Sequence, residues 1–259
     1  MLGVEFGEYR VSIGTRFSVS FQRAKRAPDG QFHPPPSSLG VLAVHRVADY
    51  AERLPAEWNR MGAGFLPIYP QEAVWLGFSG AAWKPNAVTV GAGRLNAVTG
   101  RPWEPRLHDD PQNYMVCPPQ LSLDGIYAGD GIVKQFVAAH PERGSTGASL
   151  AAVSAMQIVV YEPKAARFPE APPARSAQGP DVMHALGVPR SGDAIELADG
   201  ATIAQEILRD PCGIDTWDQG NYGSVAIHLL SGVQYREITG LELPPPLSDA
   251  QGYTGYRLP

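Results

Sequence analysis

The sequence predicts a mainly β fold built of antiparallel, sandwich-like sheets. Short segments rich in β-branched and aromatic residues recur along the chain, and Gly, Pro, Asp or Asn bounds each of them. Glycine and proline, which interrupt helices, account for 28 and 25 of the 259 residues and argue against a helical bundle. No helix of crossover length separates the short segments, so the pattern favours a sandwich or barrel over a βαβ fold.

The N-terminal part predicts one strand and two short helices. Residues 16–22, RFSVSFQ, alternate apolar and polar side chains, which is typical of a half-buried strand. The triple proline at 34–36 must be extended, because each ring fixes φ and removes a backbone donor. Between Val44 and Gly62 apolar residues recur at helical spacing, and Pro55 interrupts them. We therefore expect two short helices there, the second with Pro55 near its first turn and Gly62 at its end.

The rest of the chain predicts a dense series of strands around a proline-rich arm. Six strands are expected before the arm, at Ala73–Phe78, Asn86–Val90, Arg94–Thr99, Asn113–Cys117, Gly131–Ala138 and Ala155–Glu162. Residues 163–193 contain six prolines and show little periodicity, as a linker or surface arm does. Three further strands are expected, at Ala201–Leu208, Ser224–Leu230 and Val233–Thr239, the last two joined as a hairpin across Ser231 and Gly232.

These segments divide the chain into three parts. Residues 1–163 form a β-rich sandwich-like core, residues 164–193 the proline-rich arm, and residues 194–259 a C-terminal β segment. Because roughly 65 residues are few for an independent core, we expect the C-terminal segment to pack on the first sheets or to add strands to them.

Composition and charge exclude several classes of function. The formal net charge of -5 provides no general attraction to nucleic acid or anionic lipid. No apolar run approaches the roughly 18 residues of a membrane span, and the N-terminus lacks a signal-peptide pattern, so a cytoplasmic location is expected. Cys117 and Cys212 lie too far apart in sequence for a Cys-x-x-Cys motif, and the six histidines occur singly. The sequence predicts neither a metal nor a cofactor.

One glycine motif has the local pattern of a dinucleotide-binding turn. Gly91-x-Gly93 follows an apolar strand, as such a turn does. Asn96 occupies the third glycine position, and Gly100 and Pro102 follow where a helix N-terminus would have to hold a pyrophosphate. A β-hairpin that turns at Gly91 to Gly93 explains the glycines without a cofactor.

Acidic residues in glycine-rich loops are candidates for polar chemistry. Asp124 and Asp130 each precede a glycine, as turn residues do. Asp215, Asp218 and Asn221 offer oxygen ligands to a hard cation, but neither group has the alternating acids and closing Glu of an EF-hand loop. Tight turns are the main interpretation, and cation binding is the alternative.

Aromatic residues are candidates for a binding platform. Trp75, Trp83 and Trp103 flank one group of strands, and Trp217 and Tyr222 flank another. Most tryptophans in a protein of this size pack in the core, whereas an exposed one can contact a sugar, a peptide or another subunit. Trp217 is the first candidate because it lies in a loop rich in Gly and Asp.

Several long motifs carry a resemblance to other proteins. They are KPNAVTVGAGRLNAVTGRPW (Lys84–Trp103), DDPQNYMVCPPQLSLDGI (Asp109–Ile126), DGIVKQFVA (Asp130–Ala138), MQIVVYEPK and GIDTWDQGNYGSVAIHLLSGVQYREITGLE. In these motifs the chain resembles a group of bacterial and fungal β-rich proteins to which no activity, cofactor or catalytic residue is attached. The resemblance implies that the sequence on both sides of the proline-rich arm is one recurring unit. Leu121 and Ser122 depart from the Pro-Trp pair usual in that group, and residues 139–147 replace a Met-Pro-Leu-Gly type segment.

The leading functional hypothesis is a non-enzymatic interaction or self-assembly module whose partner is another copy or another protein. It rests on the dense strands and turns, on the lack of an acid–base or nucleophile set in the sequence, and on the arm, because an exposed strand edge or arm can recruit a subunit. The candidate binding residues are Asp124, Asp130, Gln135, Asp215, Trp217, Asp218 and Tyr222.

Two alternatives stay open. One is a hydrolase or carbohydrate-active enzyme that uses loop carboxylates, which requires two of them about 5 to 10 Å apart in one cleft. The other is a sugar- or peptide-binding module with a groove lined by Trp217 and a second aromatic residue.

Overall fold

The strands form two β-sheets around a common core, which confirms the prediction of a mainly β, sandwich-like fold. The structure is a computed structural model that describes residues 1–28, 32–59, 62–69, 72–137, 155–172, 202–243 and 245–247. Its strands are β1 (Val4–Phe6), β2 (Val11–Ile13), β3 (Phe17–Lys25), β4 (Phe32–His33), β5 (His45–Arg46), β6 (Ala63–Pro67), β7 (Glu72–Ser79), β8 (Asn86–Ala92), β9 (Leu95–Asn96), β10 (Met115–Cys117), β11 (Ser122–Leu123), β12 (Gly125–Gly129), β13 (Ile132–Val137), β14 (Ala155–Pro163), β15 (Thr202–Ile203) and β16 (Trp217–Leu230).

The two sheets are almost entirely antiparallel. The first follows the order β1-β2-β3-β7-β13-β15-β4, with β11 beside β7 and β12 beside β13. The second follows the order β10-β8-β14-β16-β6-β5, with β9 beside β8. Among the described pairs, β15 with β4 and β16 with β6 are parallel, and the others are antiparallel.

The main core lies between the two sheets. Phe17, Val19 and Phe21 of β3 enter it at every second position, as the alternation in the sequence predicts. Val90 of β8 and Ile158 of β14 enter the same core from the second sheet, and both are fully buried. The apolar face of each sheet is thus covered by the other sheet.

Two predicted strands are much shorter than expected. In the segment predicted at 94–99, only β9 is extended, because Asn96 Oδ1 accepts the backbone N–H of Val98 and of Thr99, both at 3.0 Å, and closes a turn. In the segment predicted at 201–208, only β15 belongs to a sheet. Side-chain amides hold the residues that follow, since Gln120 Oε1 accepts the N–H of Leu208 at 2.9 Å.

The strand and hairpin predicted at Val233–Thr239 are wrong, because this segment is the α-helix α1 (Gly232–Thr239). Ser231 and Gln234 form a capping box at its start, and Gly240 ends it in the left-handed conformation with φ 73°. Tyr235 and Ile238, three residues apart, bury one face of the helix. Caps at both ends and this face outweigh the β-branched residues that favoured a strand.

The two short helices predicted between Val44 and Gly62 are confirmed, and both are 3-10 helices. They span Val47–Arg53 and Ala56–Trp58, and Pro55 stands immediately before the second. The second helix ends at Trp58, before Gly62, and Trp58 is buried. None of the helices in the described residues is long and apolar enough to cross a membrane.

The sequence beyond the arm contributes to both sheets. β15 pairs with β13 and β4 in the first sheet, and β16 lies between β14 and β6 in the second. The structure describes residues 164–172 of the predicted arm, and the remainder of the arm at 173–193 lies outside the described residues.

Candidate functional site

Two adjoining clefts lie between β1 and the segment Val44–Tyr50, at the β5 edge of the second sheet. Their volumes are about 340 and about 210 Å³, and they share Phe6, Arg46 and Asp49 as lining residues. We call the two together the acidic cleft. Its lining residues are 4–8, 44–46, 49 and 50. Because both are shallow, they suit a side chain of another molecule better than an enclosed small molecule.

Backbone pairing brings the two walls of the acidic cleft together. Val44 N donates to Glu8 O at 2.9 Å, which ties the loop after β1 to the segment before β5. β5 then pairs with β6, with His45 opposite Phe65. Gly64 of β6 leaves room for the Phe6 ring, which a Cβ at that position would overlap.

Carboxylates dominate the charge of the acidic cleft. Glu5, Glu8 and Asp49 line it, and all three are exposed. Among the residues that line the cleft, Arg46 is the cation that opposes them. His45 also lines it, but burial lowers the pKa of His45, so its ring is neutral near neutral pH. Three carboxylates against one guanidinium leave the cleft with a net negative charge, which attracts cations.

An aromatic cluster supports the floor of the acidic cleft. The His45 ring stacks on Phe65 at a centroid distance of 5.3 Å, and Tyr50 meets both rings edge-on at 5.9 and 5.4 Å. Tyr235 of α1 shares a hydrogen bond of 2.9 Å with His45 Nε2. Helix α1 therefore fixes the orientation of the imidazole, and the cleft combines carboxylates with half-buried aromatic faces. Such a site can hold a guanidinium or ammonium group.

The acidic cleft is not among the sites that the sequence predicts. Its carboxylates come from two segments about 40 residues apart, at Glu5 and Glu8 and at Asp49. Neither segment contains a motif, and only the contact of β1 with the segment after β5 brings them together. Glu5 and Glu8, three residues apart, are the local signal that the sequence offers.

Asp124 has the most perturbed environment of the predicted acids. It is 6% exposed and lies between β11 and β12. Burial raises the pKa of Asp124 to about 7, and the Ser122 hydroxyl opposes this shift by donating to the carboxylate at 3.4 Å. Raised carboxyl pKa values are typical of general acids, but Asp124 lines neither part of the acidic cleft.

Asp130 and Gln135 lie on the β12–β13 hairpin and have local structural roles. Asp130 is exposed at the turn with φ 51°, and the five residues of β12 separate it from Asp124. That strand length corresponds to roughly 17 Å. Gln135 is 2% exposed; its Oε1 accepts the Ala27 N–H and its Nε2 donates to Lys25 O, both at 2.9 Å. Both ends of the Gln135 amide are thus engaged by the backbone of residues 25 and 27.

Asp215, Asp218 and Tyr222 lie around the start of β16. Asp215 is exposed in the 3-10 turn Ile214–Thr216, and Asp218 Oδ1 accepts the Gly220 N–H at 2.9 Å, as a turn residue does. Tyr222 is half-buried against Tyr161, with ring centroids 5.7 Å apart. Within the described part of the chain, no three His, Cys, Asp or Glu residues group as metal ligands would.

Trp217 is a core residue, so the expected exposed platform at this position is wrong. It is 1% exposed, and its indole Nε1 donates to Asp210 Oδ2 at 2.8 Å. Tyr114 Oη donates to the same oxygen at 2.6 Å, and the Cys212 N–H donates to Asp210 Oδ1 at 2.7 Å. Trp217 thus anchors the chain in front of β16 and is not available to a partner.

The Gly91-x-Gly93 motif forms the hairpin that the sequence favoured. Gly91 of β8 pairs with Asn96 of β9, and Gly93 between them has φ 60°. The Trp103 ring lies against Gly91 at a place where any Cβ would overlap it. Both glycines are explained by backbone geometry and packing.

Comparison with protein-family models, curated proteins and solved structures finds no match to this chain. We therefore infer the function from the geometry and charge of the surfaces themselves.

Proposed function

We propose that this protein is a non-enzymatic self-assembly module in which the acidic cleft of one copy receives an arginine-bearing loop of the next copy. The observation that supports this proposal is the charge complementarity between two exposed surfaces of the same chain. One is the acidic cleft, and the other is the loop at residues 94–106, which we call the arginine loop.

The arginine loop presents three exposed cations on a fixed backbone. Arg94, Arg101 and Arg106 are all exposed, and Glu104 is the single carboxylate in this range. Glu104 pairs with His108 at 2.9 Å.

Each arginine carbonyl of the loop is held by the fold. The Trp103 N–H donates to Arg94 O, the Asn96 N–H donates to Arg101 O, and Asn113 Nδ2 donates to Arg106 O, each at 2.8 Å. A backbone held in this way loses little conformational entropy on binding.

The two surfaces lie at opposite edges of the second sheet. β14 occupies one side of β8 along its length, so β9 and β10 share the other side, and β5 forms the far edge. Five strand spacings separate the two edges, a distance of roughly 24 Å. Because the two surfaces differ, the contact is heterologous, and successive copies form rings or filaments.

The chemistry of the acidic cleft suits guanidinium groups. Carboxylates of Glu8 and Asp49 accept paired hydrogen bonds from a planar guanidinium, and the faces of Tyr50 and Phe6 offer stacking. Exposed ion pairs are weak singly, so we expect a weak, salt-sensitive assembly with a small interface.

The enzyme alternative has less support in the structure. Asp124 is buried beside β11, Asp130 is at a hairpin tip, and Asp215 and Asp218 flank the start of β16 in the other sheet. The alternative of a sugar- or peptide-binding groove also has less support, because Trp217, its first candidate residue, is buried.

Sedimentation of purified protein over a range of concentrations tests the proposal. We expect association that rises with concentration and weakens between about 0.05 and about 0.5 M salt, where the Debye length falls severalfold. Two charge-reversed chains make the test specific: Glu8→Arg with Asp49→Arg in the cleft, and Arg101→Glu with Arg106→Glu in the loop. Neither should associate alone, whereas an equimolar mixture should, because each then offers the other a complementary surface.

The matched control is Glu206→Arg with Asp215→Arg, which reverses two exposed acids outside the cleft and should leave association unchanged. A wild-type chain that stays monomeric at every concentration, or a mixture that fails to restore association, contradicts the proposal.

A further inference from the structure

A second surface, separate from the acidic cleft, binds an extended piece of this same chain. After α1, the chain passes Leu243, which packs against the core beneath the helix, and reaches Pro245–Leu247. There Arg23 Nη2 donates to Pro245 O at 3.0 Å, and the Leu247 N–H donates to Glu72 Oε1 at 3.1 Å. Two side chains therefore hold the segment by its backbone alone.

Arg23 and Glu72 are prepared for this contact by their own pairing. They lie diagonally across β3 and β7, with Lys25 directly opposite Glu72, and form a double hydrogen bond in which Nε donates to Oε2 at 2.5 Å and Nη2 donates to Oε1. Their side chains are 9% and 6% exposed, and the guanidinium lies 5.6 Å from the centroid of the Tyr69 ring. Packing and pairing fix both side chains in place, so the site is rigid.

The pair leaves one donor and one acceptor for a peptide. Arg23 Nη2, which already donates to Glu72, also donates to the carbonyl of Pro245. Glu72 Oε1, which already accepts from Arg23, also accepts the N–H of Leu247, two residues after Pro245. Pro246, between the two, has no N–H to satisfy, and its ring holds the backbone extended. The site therefore accepts an extended segment with proline at the middle position, because neither hydrogen bond requires an N–H from that residue.

We infer that Arg23, Glu72 and Tyr69 form a docking site for extended, proline-containing peptide segments, and that residues 245–247 occupy it as an intramolecular ligand. A separate peptide of the same pattern competes with this segment for the site. The site shares no residue with the acidic cleft, so it stands whether or not the copies assemble through that cleft.

Competition with a labelled peptide of residues 241–249, LELPPPLSD, tests the inference on the full chain. The variant Leu247→Pro removes the N–H that donates to Glu72 and leaves Arg23 and Glu72 intact. We expect it to bind the peptide about tenfold more tightly than the wild-type chain, because a competing ligand lowers the accessible fraction of the site. Leu247→Ala keeps the N–H and is the matched control, with the affinity of the wild type.

A second peptide with proline in place of its last leucine lacks the same N–H and should bind Leu247→Pro about tenfold more weakly than the first. Equal affinity of all three chains for the first peptide, or no binding to Leu247→Pro, overturns the inference. Amide hydrogen exchange gives an independent readout in the wild type. Exchange of the Leu247 N–H at least about tenfold slower than in the free peptide supports the contact, and exchange at the free rate overturns it.

Discussion

Two buried carboxylates on the first sheet have opposite surroundings. Glu72 of β7 is 4% exposed and faces the guanidinium of Arg23 in a double hydrogen bond. Asp124, which follows β11, is 6% exposed and receives one long hydrogen bond, from Ser122. Burial alone does not determine whether a charge stabilises a fold; its partners do. The same change, from carboxylate to amide, should therefore have opposite effects at the two positions.

The largest effect is expected for Glu72→Gln. The amide cannot balance the guanidinium, so Arg23 becomes a buried charge without a counter-ion. We expect the free energy of unfolding to fall by about 3 to 5 kcal/mol, measured by chemical denaturation at neutral pH. Glu242→Gln is the control, because the pair of Glu242 with Arg236 is exposed, and it should change stability little. A small loss at Glu72 would mean that the pair is not buried as described.

The second substitution, Asp124→Asn, should raise the free energy of unfolding, by an amount that depends on pH. Because burial raises the pKa of Asp124 to about 7, the folded chain keeps a proton that the unfolded chain releases near pH 4. Stability should therefore fall as the pH rises from about 4 to about 7 and then level off. Asp124→Asn removes this decline, so it should stabilise the chain by roughly 2 to 4 kcal/mol at pH 8 and hardly at pH 4.

Thermal and chemical denaturation across this pH range measure the difference between Asp124→Asn and the wild type. Asp130→Asn is the control, because Asp130 is exposed in a left-handed turn that Asn also adopts. If Asp124→Asn destabilises the chain at pH 8, the carboxylate has a partner in the folded state and the contrast with Glu72 fails.

A smaller loss of stability is expected when the contact of residues 245–247 with Glu72 is weakened. Leu247→Pro removes one hydrogen bond to a carboxylate and leaves the double hydrogen bond with Arg23 in place. We expect a loss of about 1.5 kcal/mol in unfolding free energy, the low end of the range for a hydrogen bond to a charged group, with Leu247→Ala as the reference in the same denaturation series. A loss as large as that of Glu72→Gln would show that the contact of residues 245–247, and not the ion pair of Arg23 with Glu72, provides the stability at this site.

The smallest effect on stability is expected for a third carboxylate, Glu170, which is exposed. Lys84 Nζ donates to Glu170 Oε2 at 2.6 Å, with side chains 9% and 74% exposed, and this hydrogen bond lowers the pKa of Glu170. The ion pair is present above that lowered pKa and is lost as the pH falls through it. Glu170→Gln should lower the melting temperature less than Glu72→Gln does, because solvent reaches the pair from the exposed Glu170 side and the amide oxygen can still accept from Lys84. It should also speed tryptic cleavage at Arg167 severalfold at low salt.

The cleavage rates of wild type and Glu170→Gln should converge as salt is added, because screening weakens an exposed pair. If the rates at low salt are equal, the pair does not hold this segment. If all three results are as expected, the effects form a series from the paired and buried Glu72, through the buried Asp124 without a counter-ion, to the exposed Glu170.

Strands and turns followed from local sequence in most of the molecule. The apolar alternation of β3 and the short β-branched runs at β7, β8 and β14 reflect a two-residue period that any half-buried strand must show. The helix α1 is also encoded locally, in the Ser231–Gln234 capping box and Gly240, and these caps outweigh the β-branched residues that favour a strand.

The sequence by itself determined the mainly β class, the two short helices after Val44 and the hairpin at Gly93, because periodicity and turn chemistry act between near neighbours. Only the tertiary structure decided which polar and aromatic side chains are accessible. Trp217 and Gln135 are buried because distant strands cover them, and Glu8 and Asp49 share a cleft because β1 lies beside the segment after β5. Burial and charge depend on which segments meet across the sheets, and no local pattern encodes that.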